Sequence, residues 1–287
     1  MPMDVPFWLG ALLLGLAVGS FLNVVIHRLP RMLEAQWSQD AQAHVDSLQP
    51  CATPDQPAAP GAEPRYNIAV PGSHCPHCGH VLAWTENIPL LSYLVLKGRC
   101  RQCHAPIGWR YPAVEVLTAS LFVWSFAQHG LNVNALAWAG FAAALVALAA
   151  IDADTRLLPD AITQPLVWSG LLAASLGWSG IGLDSALWGA VVGYGCLWSV
   201  YWLFKLVTGK EGMGHGDFKL LAGLGAWLGW PALLSLVLIA SLTGLACGLW
   251  LRWRQRMALD APMPFGPFLV LAGLWVMVWG PPPGLQI

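Results

Sequence analysis

Long apolar runs separated by short polar breaks dominate the chain. Eight runs approach the length of a membrane pass: Val5–Ile26, Pro112–Gln128, Ala135–Ile151, Ala161–Trp178, Ser185–Phe204, Phe218–Trp230, Pro231–Leu251 and Phe265–Trp279. Crossing the hydrocarbon core as a helix takes about twenty apolar residues. The pattern therefore predicts an all-α polytopic membrane protein with about eight transmembrane helices. The sixth run is short. With the seventh it lies between Lys219 and Arg252, two positive flanks on one side, and the pair holds few residues for two full passes. The Gly229-Trp-Pro231 break predicts a tight turn between them, with one limb short or re-entrant.

Composition agrees. Of the 287 residues, 56% are hydrophobic, 17 are Trp, and the mean hydropathy is +0.57. Only 10% are charged, against about a quarter in soluble domains. The net charge of -1 gives no reason to expect a nucleic-acid partner. The placement of the charge says more. The 14 Lys and Arg fall on alternate loops: Arg28, Arg31, Arg65, Lys97, Arg99, Arg101 and Arg110 in the first, Arg156 in the next, Lys205, Lys210 and Lys219 around the third, and Arg252, Arg254 and Arg256 in the fourth. The opposite loops, near Gly130, Gly180 and Trp230, have none, and neither has either terminus. By the positive-inside rule the basic side is cytoplasmic and both termini face outward. The first run has no basic residue before it and positive charge after it. It is expected to stay as an anchor with its N-terminus out, not to act as a cleaved signal.

Three regions follow: a first transmembrane helix (1–30), a cytoplasmic loop (31–111) and a bundle of the remaining spans (112–287). Within the loop, Met32–Leu48 reads as helical. Residues 36–65 are rich in Ala, Pro, Gln and Asp and read as a linker, most clearly over Cys51–Pro64. Residues 66–111 form a compact module.

That module carries Cys75-Pro-His-Cys78 and Cys100-Arg-Gln-Cys103, two CxxC pairs separated by 21 residues. Each pair can form a knuckle whose two thiolates converge on one metal. Four thiolates close a tetrahedral shell, which points to one structural zinc per chain. Two disulfides are the competing reading, disfavoured because a cytosolic loop is kept reduced. His77, His80 and His104 are expected at the surface. Cys51, Cys196 and Cys247 read as small apolar residues.

Acidic residues at membrane edges are costly to desolvate and point to function. Asp152 lies in Ile151-Asp-Ala-Asp-Thr-Arg-Leu-Leu-Pro-Asp160, and Asp217 ends Gly214-His-Gly-Asp217. The charge map places both on the cytoplasmic side. Two carboxyls that meet and share a proton can act as base and acid, the chemistry of an aspartyl protease. Gly214 and Gly216 would let the backbone approach a substrate closely or take positive φ. Asp160, after Pro159, reads as a helix cap. Asp154 is ambiguous, because residues two apart cannot share a helix face. The competing reading is that these acids cap helices or pair with Arg156, Lys210 and Lys219.

Several blocks in order make the chain resemble the type IV prepilin peptidases, the prepilin leader peptidase/N-methyltransferase family of GxGD aspartyl proteases. They are Ser20–Pro30, Cys75–Cys78, Glu86-Asn-Ile-Pro-Leu90, Cys100–Cys103, Arg110-Tyr-Pro-Ala-Val-Glu115, Ile151–Asp160, Gly214–Lys219 and Pro264-Phe-Gly-Pro267. The resemblance implies a bacterial inner-membrane enzyme. Such an enzyme removes the short basic leader from type IV prepilins and type II secretion pseudopilins, cutting after a Gly at the cytoplasmic face. It then methylates the new N-terminal residue, usually Phe, with S-adenosylmethionine. Carried over by motif, the catalytic pair is Asp152 and Asp217, and the zinc set is Cys75, Cys78, Cys100 and Cys103. No donor-binding residues follow from the sequence. Glu86, Asn87 and Glu115 are the polar candidates in or beside the module, with surface or capping roles as the alternative.

Two other classes are weaker. A proton-coupled transporter would place its acids nearer mid-span and usually shows paired halves. A zinc-module membrane scaffold would leave Gly214-His-Gly-Asp217 without a role. The partners expected are prepilins, pseudopilins and membrane lipid; the sequence sets no oligomeric state.

Overall fold

The computed structural model describes residues 5–48, 66–210, 212–254 and 263–282. The Cys51–Pro64 linker lies outside the described residues, as do Cys51, Arg65 and Arg256. The elements are helices: α1 (Val5–Leu48), α2 (Leu91–Val95), α3 (Arg110–His129), α4 (Val133–Thr155), α5 (Asp160–Ser175), α6 (Leu183–Thr208), α7 (His215–Leu228), α8 (Leu233–Trp253) and α9 (Gly266–Trp279). Among the described residues there is no strand, only two isolated antiparallel bridges in the cysteine module. Each of the eight apolar runs falls largely on one helix of its own. Four helical stretches are long and apolar enough to cross a membrane, within α1, α4, α6 and 230–253; α9 is apolar but shorter.

The first helix is longer than its apolar run. It continues unbroken through Pro30 to Leu48, so the Met32–Leu48 segment is helical as expected but belongs to α1. Its end projects away from the bundle, with Trp37 and Val45 about half exposed.

Burial ranks the helices from lipid to core. The most apolar window of α6 is 22% buried and that of α4 is 61%. Large apolar side chains such as Trp188, Leu203 and Leu206 are exposed on α6, the pattern of a lipid-facing helix. The α7 helix is the opposite case. Its 14 residues span about 21 Å, short of the roughly 30 Å hydrocarbon core. Yet Asp217, Phe218 and every residue from Leu220 to Trp227 are buried. The short limb expected from the sequence is thus a central helix, enclosed chiefly by α5, α6 and α9. It ends at Gly229, whose φ of +82° turns the chain into Trp230–Ala232 and α8. An L-residue would be strained there.

Small residues let these helices touch backbone to backbone. Gly189 on α6 faces the Gly225 carbonyl on α7, and Gly193 faces that of Leu221. Gly15 and Gly19 on α1 meet Ala119 and Glu115 on α3 in the same spacing. Both are the GxxxG device of membrane helices. Trp227 closes the α7 core, stacking on Phe141 at 4.8 Å and donating its indole N–H to the Leu166 carbonyl at 3.0 Å.

Because the α6–α7 contact has no room for a methyl group, Gly189→Ala should lower the melting temperature of the detergent-solubilised protein, at a cost of about 1–3 kcal/mol. An unchanged melting curve would show that the two backbones are not in contact.

Candidate active site

Two polar centres occupy one end of the bundle. The first is formed by the ends of α4 and α7. Asp152 sits in the last turn of α4, and Asp217 in the first turn of α7. They are 5% and 7% exposed. The structure therefore buries both acids at the same end of the bundle. It does not bring Asp154 or Asp160 with them. Asp154 is exposed and pairs with Arg110. Asp160 takes both its carboxylate oxygens to Lys219 Nζ, at 2.6 and 2.7 Å.

That contact corrects the reading of Asp160 as a cap. Pro159 holds the N-cap position, Asp160 is already the first helical residue, and no side-chain cap bond forms. Its carboxylate projects toward α7 instead.

The two acidic motifs interlock. Leu158 packs on Gly216 so closely that a Cβ there would lie 2.6 Å from the Leu158 Cβ. Gly214 has an extended φ of -77° at the N-cap of α7, and neither glycine of the motif has positive φ. Close approach, not left-handed backbone, is what the motif requires at Gly216. His215 lies in an aromatic group with Tyr201, 5.0 Å away between ring centres, and Phe218, at 5.4 Å.

Sequence reasoning gave Gly266 no role, though it lies in the Pro264-Phe-Gly-Pro267 block. It begins α9 against Asp152: an added Cβ would stand 2.6 Å from Asp152 Oδ2. Asp152 Oδ2 itself is buried without a completed hydrogen bond, costly unless a reacting group uses it. A glycine beside the proline that opens an apolar run was the available signal.

The second centre is the cysteine module. Its two knuckles repeat one backbone pattern. The Cys75 N–H donates to the His80 carbonyl and the Gly79 N–H to that of Cys75; the Cys100 N–H donates to Ala105 and the His104 N–H to Cys100. Gly79 and His104 are equivalent and both left-handed, with φ of +72° and +56°. His104 is therefore a turn residue, as exposed as expected. The amides of Cys78 and His77 bring the Cys75 thiol down to about 7. Those of Cys103 and Gln102 lower Cys100 in the same way. Cys78 goes the other way, to about 12: the His80 amide favours its thiolate, but desolvation and the sulfurs of Cys103, Cys75 and Cys100 outweigh it.

All four sulfurs lie within 4.8 Å of one another. Cys75–Cys103 is 3.8 Å and Cys78–Cys100 is 4.0 Å, too long for S–S bonds of about 2.05 Å. A tetrahedron with metal–sulfur arms of about 2.3 Å has edges of about 3.8 Å. The set fits zinc, whose charge would offset the mutual repulsion of the thiolates.

Polar contacts tie this module to the bundle. Buried Arg28 on α1 donates to the carbonyls of Asn67 and Ile68 at 3.0 and 3.2 Å. Glu115 on α3 accepts the Leu90 N–H at 2.7 Å. Glu86 is buried, not at the surface. It accepts the Ala83 N–H at 2.9 Å and contacts His80 Nε2 at 3.1 Å, with Arg101 at 3.7 Å. The Ala83 amide, then His80, hold its carboxyl below the usual range. Glu86 therefore caps a turn, and Glu115 anchors the module.

A buried acid pair at the end of a helical membrane bundle, beside a four-cysteine module, defines the class of protein: a polytopic membrane hydrolase of the aspartic type is the arrangement's chemical counterpart. The comparisons give the family. Residues 13–129 match the bacterial peptidase A24 N-terminal domain, and residues 139–259 match the type IV leader peptidase family. The chain is 49% identical to the prepilin leader peptidase/N-methyltransferase of Burkholderia pseudomallei (strain 1026b) over 272 residues, covering 95% of this chain and 85% of that protein. Against the proteins of the same name from Aeromonas hydrophila and Pseudomonas aeruginosa, identity is 50% over 268 residues and 48% over 274. Those matches cover 93% and 96% of this chain and 89% and 91% of the relatives. The chain belongs to the type IV leader peptidase family. No solved structure matches it.

If the four sulfurs share one ion, the purified protein should hold about one zinc per chain, and Cys75→Ser should lose it. Metal analysis that returns one zinc per chain for the variant would exclude the tetra-Cys site.

Proposed function

We propose that this chain is a prepilin leader peptidase/N-methyltransferase of the bacterial inner membrane, with Asp152 and Asp217 as its catalytic pair. The observation that carries this is the burial of both acids at the one end of the bundle where the Ile151–Asp160 and Gly214–Asp217 motifs interlock. One Asp, ionised, takes a proton from water, which attacks the scissile carbonyl carbon. The other, protonated, donates to the carbonyl oxygen. The pair then returns a proton to the leaving amine, and no covalent intermediate forms. The carboxyls titrate as a unit. Gly266 leaves room for the Asp152 carboxyl, which a Cβ there would meet at 2.6 Å.

The substrates are type IV prepilins and type II secretion pseudopilins, cut after a Gly at the end of a short basic leader. The positive-inside arrangement supports this. A pilin N-terminus is an apolar helix with a basic leader, so it would lie in the bilayer with the leader inside. With both termini periplasmic, the loops bearing Asp152 and Asp217 face the cytoplasm at the depth of that junction. The chain divides into a first transmembrane segment (1–30), a cytoplasmic part (31–111) that takes in the polar end of α1, the linker and the zinc module, and a protease bundle (112–287). Cys75, Cys78, Cys100 and Cys103 hold a structural zinc that fixes the module's fold.

The second activity methylates the new N-terminal residue with S-adenosylmethionine. The name shared by the relatives supports it. Glu86 and Glu115 already have structural partners.

Purified protein mixed with a prepilin should remove the leader, read as a gel shift. Asp152→Asn and Asp217→Asn should each reduce cleavage by at least about a thousandfold while keeping their zinc and melting temperature. Normal cleavage by either variant would sink the assignment. In a separate assay, labelled S-adenosylmethionine should mark a pre-cleaved pilin; no label uptake would remove that half.

A further inference from the structure

We propose that Arg110 is a positioning residue for Asp152: it clasps the back of the α4 turn whose front carries that carboxyl, and so holds the cysteine module and the acid pair in one register. The inference rests on Asp152 being catalytic. Arg110 opens α3, seven residues after Cys103, where the chain leaves the module. Its guanidinium makes two contacts on α4. Nη1 donates to Asp154 Oδ2, and Nη2 donates to the Ala150 carbonyl at 2.9 Å. Residues 150 and 154 share one helix face, while 152 points to the other. The grip therefore fixes the turn without touching the carboxyl it carries.

The rest of that turn is also tied. Thr155 Oγ1 donates to the Ile151 carbonyl at 2.9 Å, and the left-handed Arg156 donates its N–H to the Asp152 carbonyl at 2.9 Å. Arg110 adds what local bonds cannot. A cation at a helix C-terminus opposes the negative end of the dipole, whereas Asp154 alone there would add to it. The forked guanidinium reaches a carboxylate and a carbonyl together, which an ammonium does poorly. Asn23 Nδ2 on α1 donates to the Tyr111 carbonyl at 3.1 Å, tying the start of α3 to α1 as well. Asp154, left ambiguous by the sequence, thereby gains a role as the anchor of this contact and not as a reacting acid.

The test uses full-length enzyme, a prepilin substrate and initial rates at varied substrate. Arg110→Ala should lower kcat about 10- to 100-fold, the range expected when a reacting group is displaced by up to about 1 Å. KM should change less than about threefold, with zinc content and melting temperature retained. Arg110→Lys should fall between. Asp154→Ala should lower kcat, and Arg110→Ala with Asp154→Ala should be no slower than Arg110→Ala alone, because contacting residues are non-additive. A wild-type kcat for Arg110→Ala would overturn the proposal. So would losses that multiply in the double variant, or a kcat loss that arrives with lost zinc or a lower melting temperature. Asp152→Asn, assayed beside them, separates the two ideas. If it cleaves normally the catalytic reading fails; if it is inactive while Arg110→Ala is unimpaired, the clasp alone fails.

Discussion

Burying two carboxyl groups at one end of a bundle opposes folding twice, by desolvation and by mutual repulsion. The helices that carry Asp152 and Asp217 must therefore be held together by contacts outside the pair. The structure supplies these in layers. Leu158 seats on Gly216, Asp160 reaches Lys219, and the N-terminus of α9 closes on Asp152. Further down the bundle, the bare backbones of Gly189 and Gly225 bring α6 and α7 into contact. Each of these acts on α7, or on the segments of α4, α5 and α9 packed beside its end.

The cysteine module depends on the same frame. Its knuckles supply amide donors to sulfur, but its links to the bundle are polar: Arg28 to Asn67 and Ile68, Glu115 to Leu90, Arg110 to α4. Such contacts fix orientation more than they add stability. A module mounted this way can be held rigidly beside the acids while its fold rests on its own metal shell.

Much of this was legible in the sequence, because apolar length and Cys spacing are local signals. The eight runs located eight helices, and the CxxC spacing located four converging sulfurs. Where the polar part of α1 was concerned, the apolar signal stopped at Ile26 while helix-favouring residues such as Glu34, Ala35, Ala41 and Ala43 carried the helix on to Leu48. The Asp160 cap was misread because Pro159 takes the cap position and leaves the carboxylate free for a lysine 59 residues away. Contacts of that kind, like Gly266 on Asp152 or Arg110 on Ala150, are set by how helices pack, and no local pattern encodes them. The GxxxG spacings at Gly15–Gly19 and Gly189–Gly193 were in plain view and would have predicted two of the tight interfaces.

The central claim is that the Asp152 and Asp217 side chains meet. Its most direct measurement is chemical cross-linking of full-length protein carrying Asp152→Cys and Asp217→Cys, with Cys51, Cys196 and Cys247 changed to Ser and the module cysteines kept on their zinc. The shortest bis-methanethiosulfonate reagent should yield a bridged 152–217 peptide by mass spectrometry, absent from either single variant. Thiols that each label singly, with no bridged product, would contradict the account.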